Sequence, residues 1–310
     1  PLNTIDIDGT GIFNAAVSAT NIDNDGTATF KSDVTAATAN DGTLTLTPNG
    51  DNDITHTGAI TGSGTLNAIE ADDGAVNSVT FSTDVTATTF NVGSASKAGV
   101  VILNGDTTVT NLNIYGGDVN TEDSTATFNY ALTSTSITLD DNTGSAYLIF
   151  AENNSVTIAG TIDGASENEG TLQITGTLKT FSGAVGNTYR INVLDIDNAV
   201  SFASSVATTT ATIDGTINTA ASINVSSTSA INASVTTSGT QTYTGAATLN
   251  ADVILNTTNN NISFGSTINS LNTTYRDLSL VTGSGNVSVT GIIGASNKLD
   301  VLTLNNTGTV

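Results

Sequence analysis

Val79-Thr80-Phe81-Ser82-Thr83-Asp84-Val85-Thr86-Ala87-Thr88-Thr89 alternates apolar with small polar residues and sets an aromatic, Phe81, four positions before an aliphatic, Val85. The same spacing joins Phe13 to Val17, Phe30 to Val34, Phe128 to Leu132, Phe181 to Val185, Phe202 to Val206 and Phe264 to Ile268, with Tyr243 and Ala247 as a degenerate copy. Residues i and i+4 share a face of a strand, so each pair reads as pointing inward together and as one step of a structural ladder. Successive anchors lie 17, 51, 47, 53, 21, 41 and 21 residues apart. These intervals divide into one, two or three units of about 16–21 residues, too short for a helical repeat or a propeller blade. Such a unit holds three short strands joined by turns, one circuit of a β-solenoid. The expectation is therefore an all-β chain, a parallel right-handed β-solenoid (β-helix) of about 16 coils. Residues 1–310 are expected to form a single elongated solenoid. It reads as a segment of a longer chain, because it opens at Pro1 without Met and stops in mid-pattern at Val310.

Composition agrees with a thin core. The 310 residues weigh only 31.1 kDa, aromatics make up 5%, and Trp, Met and Cys are absent, which leaves too little bulk for a wide two-layer interior. A chain so rich in Thr, Ser, Asn and Gly could also be a solvated linker. Alternating runs such as Thr43-Leu44-Thr45-Leu46-Thr47 and Ser136-Ile137-Thr138-Leu139 argue for strands instead. Turn pairs lie between the runs, among them Asn49-Gly50, Asp73-Gly74, Asn104-Gly105 and Asp163-Gly164. An array of immunoglobulin-like sandwiches is the rival β architecture, but it would repeat near ~100 residues around a buried Trp or Tyr.

Phe181-Ser182-Gly183-Ala184-Val185-Gly186, Asn286-Val287-Ser288-Val289-Thr290-Gly291 and the Val79–Thr89 stretch resemble the repeats of large bacterial surface antigens. These are the autotransporter passengers and filamentous-haemagglutinin-like proteins, and the resemblance covers most of the chain. It implies an extracellular β-helix at the bacterial cell surface, acting as scaffold of a surface layer, filament or stalk without catalysis. The partners it implies are further copies of itself or neighbouring surface components. The alternative is an adhesin that binds host or neighbouring cells through a glycan or receptor.

The charge sum of −22 with six cations leaves no basic patch for nucleic acid or anionic lipid, and no apolar run is long enough for membrane insertion. Catalysis has little to draw on. His56 is the sole histidine and reads as an exposed turn residue, and Lys31, Lys97, Lys179, Arg190, Arg276 and Lys298 are scattered. Carboxylate pairs such as Asp72-Asp73, Asp140-Asp141 and Glu167/Glu169 keep a β-helix polysaccharide lyase or hydrolase as a third reading. No catalytic residue and no organic cofactor are expected. Calcium is the one ion with a sequence argument. Asn21-Ile22-Asp23-Asn24-Asp25-Gly26 spaces oxygen donors before a glycine, making Asn21, Asp23 and Asp25 candidate ligands, although the twelfth position is Ser32 rather than Glu. Thr86/Thr88 and Thr133/Thr135 suggest a water-ordering Thr face. At the same offsets other anchors give Thr35/Ala37 and Gly186/Thr188, so no regular lattice is expected.

Overall fold

The computed structural model describes residues 2–48, 52–70, 77–117, 123–151, 156–177 and 179–310. Among these residues there are 34 strands and no helix. Strands of successive coils pair in parallel and in register, as Val79 does with Val101 and Thr242 with Ser263. The chain is a parallel β-solenoid. It divides into two compact units, Pro1–Glu152 with Thr157–Gly160 and Asn153–Val156 with Thr161–Val310. The turns at Asn49-Gly50 and Asp73-Gly74 and the pair Asp72-Asp73 lie outside the described residues.

The coils are longer and fewer than the anchor spacing suggests, about 12 turns rather than 16. In the first unit one inward column runs Val17, Val34, His56, Phe81, Leu103, Phe128 and Phe150. Its steps range from 17 to 25 residues. The 47-residue interval from Phe81 to Phe128 is thus two coils, with Leu103 on the intervening rung. Leucine, valine and histidine replace phenylalanine at this position without breaking the ladder, so counting aromatics divides the interval wrongly. In the second unit a comparable column runs Val200, Ile217, Val235, Leu255, Leu280 and Leu304.

The aromatic-to-aliphatic spacing marks a corner rather than one strand face, which corrects the reading of each pair as strand mates. Phe30 ends the strand Thr27–Phe30 and Val34 begins Val34–Asn40; Phe81 ends Ser78–Phe81 and Val85 begins Val85–Val92. Likewise Phe128 ends Ser124–Phe128 while Leu132 begins Leu132–Asp140, and Phe264 ends Ile262–Phe264 while Ile268 begins Ile268–Ser270. Phe13 and Val17, Phe202 and Val206, and Tyr243 and Ala247 bracket corners in the same way. Phe181 also ends a strand, and Val185 follows on an isolated bridge to Val206. Both members of these pairs are buried except Phe13 and Val17, which are partly exposed.

The rungs past the corner are not uniformly aliphatic either. Leu132 lies beside Thr107, and Ile268 lies between Ala247 and Ile293. Leu132 and Ile268 are fully buried all the same, so they fill the core without forming a ladder of like on like. Three residues turn the chain at each corner, and the backbone ladder continues through it. The amide of Asn104 donates to the Phe81 carbonyl at 2.9 Å, and that of Val85 to the Asp106 carbonyl at 2.9 Å.

Aromatic rings stack along the core. Phe13 lies on Phe30 at 4.6 Å, Phe181 on Phe202 at 5.1 Å, and Tyr243 on Phe264 at 5.1 Å between centroids. Phe90 and Phe150, which follow no anchor spacing, are equally buried. Some polar groups that enter the core pair with one another and with backbone carbonyls. Tyr243 donates to Gln241 Oε1, whose own amide nitrogen donates to the Val235 and Asn256 carbonyls. Asn24 Nδ2 donates to Asn40 Oδ1 at 2.7 Å, and Asn40 Nδ2 to the Thr65 carbonyl at 3.1 Å, with both side chains fully buried. Truncating Asn40→Ala leaves one N–H of Asn24 without its acceptor while the other stays on the Thr43 carbonyl at 3.1 Å, and urea unfolding is expected to show a loss of about 2 kcal/mol.

Outside the core, turn carboxylates serve the following coil. Asp84 Oδ1 accepts the Asp106 amide at 3.0 Å, and Asp106 Oδ1 accepts the Ala131 amide at 3.2 Å. Asp252 and Asp277 repeat the relay toward Val301, and Asn261 and Asn286 repeat it toward Thr309. The Asp-Gly turns pack so tightly that a Cβ at Gly42 would fall 2.0 Å from the Gly26 carbonyl oxygen. Glycine is needed there for close backbone approach.

Candidate functional site

In the first unit the residues flanking each inward Leu or Phe point outward and stack in rows. One row runs Thr10, Thr27, Thr43, Thr65, Thr89, Asn111 and Ser136. Beside it, two residues along each strand, run Ile12, Thr29, Thr45, Asn67, Asn91, Asn113 and Thr138. All are exposed or half-buried. Rung spacing is about 4.8 Å and the two rows lie roughly 7 Å apart, as strand geometry requires. The asparagines link into an amide ladder: Asn113 Nδ2 donates to Asn91 Oδ1 at 2.9 Å and Asn91 Nδ2 to Asn67 Oδ1 at 2.8 Å. Asn67 Nδ2 closes on Thr45 Oγ1 at 3.3 Å.

In the early coils these rows lie in strands that end at a corner, such as Thr27–Phe30, and in the later coils they lie in Val85–Val92, Thr107–Tyr115 and Leu132–Asp140, a few residues past the positions that the anchor spacing singles out. The signal was present as Thr27-Ala28-Thr29-Phe30 and Thr43-Leu44-Thr45-Leu46, where the polar members share a face. At the start of these later strands the expected irregularity is only partial. Thr86, Thr108 and Thr133 occupy one column over three coils.

No protein-family model, no curated protein and no solved structure matches the chain.

The local backbone spreads the candidate calcium ligands Asn21, Asp23 and Asp25 rather than converging them. The strand Val17–Asn24 runs through the segment, so Asn21 and Asp23 project outward while Ile22 and Asn24 are buried. Only Asp25 sits at the turn. A strand spreads its donors about 7 Å apart along one face, whereas a calcium loop converges them. Asn21 and Asp23 line a shallow groove of about 370 Å³ with Thr4, Ala37, Ala39 and Thr61, and Asp6 lies on the rung beside Asp23. Among the described residues, no group of three or more His, Cys, Asp or Glu side chains is placed to hold a metal ion. Among the described residues no helix is long and apolar enough to cross a membrane.

His56 is not an exposed turn residue. It is fully buried at the end of the strand Ile54–His56, on the rung between Val34 and Phe81. Its Nδ1 lies 2.9 Å from the Gly58 carbonyl, which only accepts, so Nδ1 carries the proton. Nε2 then accepts from the Thr38 hydroxyl at 3.0 Å. Burial holds the imidazole down to about 4, opposed by the Gly58 bond. The run Ile54-Thr55-His56 follows the period-two pattern of its neighbours, and that was the missed signal.

Carboxylates differ by environment. The Ser63 amide and hydroxyl, both bonded to Asp41 Oδ1, lower the Asp41 carboxyl below its ordinary value. Burial, with Asp197 and Asp214 nearby, raises that of Asp195. Glu169 is occupied by the Ser166 amide and hydroxyl, and Glu167 lies 3.8 Å from Arg190. Asp140 and Asp141 accept the amides of Asn142 and Ala146. Each of these acidic pairs has a local turn-stabilising partner.

Proposed function

We propose that this chain is an extracellular structural protein of the bacterial cell surface, a solenoid that scaffolds a layer, filament or stalk and performs no chemistry of its own. The reading is supported by the division of roles along each strand: inward residues hold coil to coil, and outward residues form repeating rows of Thr, Asn and Ser. Repeated, chemically similar positions suit many equivalent weak contacts better than one converging site. The net charge of −22 keeps such a surface soluble, and calcium or low pH would ease its self-repulsion.

Mild proteolysis of intact source cells tests the location. Peptides from this chain are expected in the supernatant without lysis, and their release only after lysis would overturn the proposal. Electron microscopy of the purified chain tests the role. Ordered filaments or sheets are expected. Single particles that bind whole cells would favour the adhesin alternative, and turnover of an acidic polysaccharide would replace both readings with an enzyme.

A further inference from the structure

Two residues beyond Asn67, Asn91 and Asn113 in the first unit stand Ile69, Gly93 and Tyr115, of which Ile69 and Tyr115 are partly exposed and Gly93 is buried. Only the backbone of Gly93 lies between the side chains of Ile69 and Tyr115, which stand two rungs apart, roughly 10 Å. Gly93 is fixed in that place: its φ is +74°, and a Cβ would fall 2.4 Å from Ser124 Oγ and 2.5 Å from the Tyr115 carbonyl oxygen. The gap opens as a cleft of about 340 Å³, walled by Ile69 and Tyr115 and bordered by the amides of Asn67 and Asn91 and by Ser94 and Ala95. Its far rim is tied down. Ser94 and Lys97 form an antiparallel bridge, and Asn142 Nδ2 reaches from two coils away to the Ala95 carbonyl at 2.5 Å.

The groups facing the cleft define what fits it. A carboxamide offers two N–H groups and two lone pairs, and within the ladder Asn91 spends one of each, leaving one donor and one acceptor for a ligand. Tyr115 supplies an aromatic wall and a phenol that burial and Asp140 keep in the protonated, donating form. Asp140 occupies the rung beside Tyr115, and the whole chain is strongly acidic, which disfavours an anion. The ligand that matches carries an apolar face, a rim of hydroxyls and no negative charge. We propose that this cleft binds a neutral hexopyranose ring of a glycan, stacked on Tyr115 and hydrogen-bonded to Asn91 and Asn67. The inference stands independently of the scaffold reading, since a subsite can exist whether or not the coils assemble.

Saturation-transfer NMR on the full chain tests it with methyl β-glucopyranoside, methyl β-galactopyranoside and methyl N-acetyl-β-glucosaminide, with methyl β-glucuronide as the anionic control. At least one neutral glycoside is expected to bind with Kd of about 1 mM, as suits one shallow subsite, and the glucuronide about tenfold more weakly. Tyr115→Ala is expected to lower affinity about tenfold and Tyr115→Phe by less than about threefold, because the ring face is kept. If Tyr115→Ala loses its fold by circular dichroism, Asn91→Asp, which keeps shape and adds charge, carries the same expectation. Absence of transfer to every neutral glycoside at about 20 mM, twentyfold above that Kd, would overturn the proposal. So would equal binding of the glucuronide, or binding unchanged in the folded variants.

Discussion

Phe128→Asp is expected to unfold the first unit. The Phe128 ring is 1% exposed, lies on the rung between Leu103 and Phe150, and stacks on Phe150 at 5.7 Å. Losing a buried phenyl ring costs about 3–5 kcal/mol, and a carboxylate left among aliphatic and aromatic neighbours adds its desolvation or the cost of taking up a proton. The sum approaches the entire stability of an ordinary domain, roughly 5–15 kcal/mol. Phe128→Leu is the matched control. It is expected to cost only about 1–2 kcal/mol, since Leu103 already fills the equivalent rung. The same Asp placed at Phe81 is expected to cost less than at Phe128, because His56 on the adjacent rung can take a proton and pair with it. Urea unfolding followed by circular dichroism ranks the three variants. Wild-type unfolding of Phe128→Asp would contradict the inward column.

Acid is expected to weaken the first unit through His56. The folded imidazole titrates at about 4, against 6.5 when solvated. Between those values the unfolded chain binds a proton that the folded chain refuses, so stability is complete above pH 6.5 and declines as pH falls to about 4. The loss over this window is about 3 kcal/mol. The groups packed on His56 are Thr38, Val34, Gly58 and Phe81, none of them charged, and the shift has no contribution from a neighbouring charge. Two displaced carboxyls, Asp41 and Asp195, act differently from His56. Asp41, held down by Ser63, gives stability that is lost only as pH falls below its ordinary 3.8, whereas protonating Asp195 relieves strain with Asp197 and Asp214. Denaturation midpoints at about pH 7, 5 and 4 check the expectation. His56→Gln, with no titration in this range, is expected to flatten the curve, and an equal slope in both proteins would show that the imidazole is not responsible. As the chain has one histidine, a single NMR resonance follows it directly.

Alternation and the recurring Phe spacing were enough to read parallel coils, because both follow from the two-residue period of a strand and from the stacking of one circuit on the next. Coil length was hidden. Leu103 and His56 take the place of phenylalanine, and a corner of three residues keeps the i+4 spacing while changing strand. Phe81 and Val85 therefore look like strand mates and are not, and the same holds of Leu132 with Phe128 and of Ile268 with Phe264. The oxygen donors of Asn21 to Asp25 follow a strand and its turn rather than one loop, because Asp and Asn favour turns and outward strand positions alike. The amide rows and the Gly93 cleft depend on which residues of different coils lie side by side. That register is set by loop lengths of 16 to 25 residues per circuit, which no local pattern specifies.

The carboxylate relay at the corners bears on how such a chain arises. In every link described, the oxygen belongs to the earlier circuit and the amide to the later one. A circuit copied in tandem therefore arrives with its own acceptor for whatever follows and finds one waiting from whatever precedes it. Adding or removing a whole circuit would thus leave no such amide without an acceptor, whether Asp or Asn supplies it.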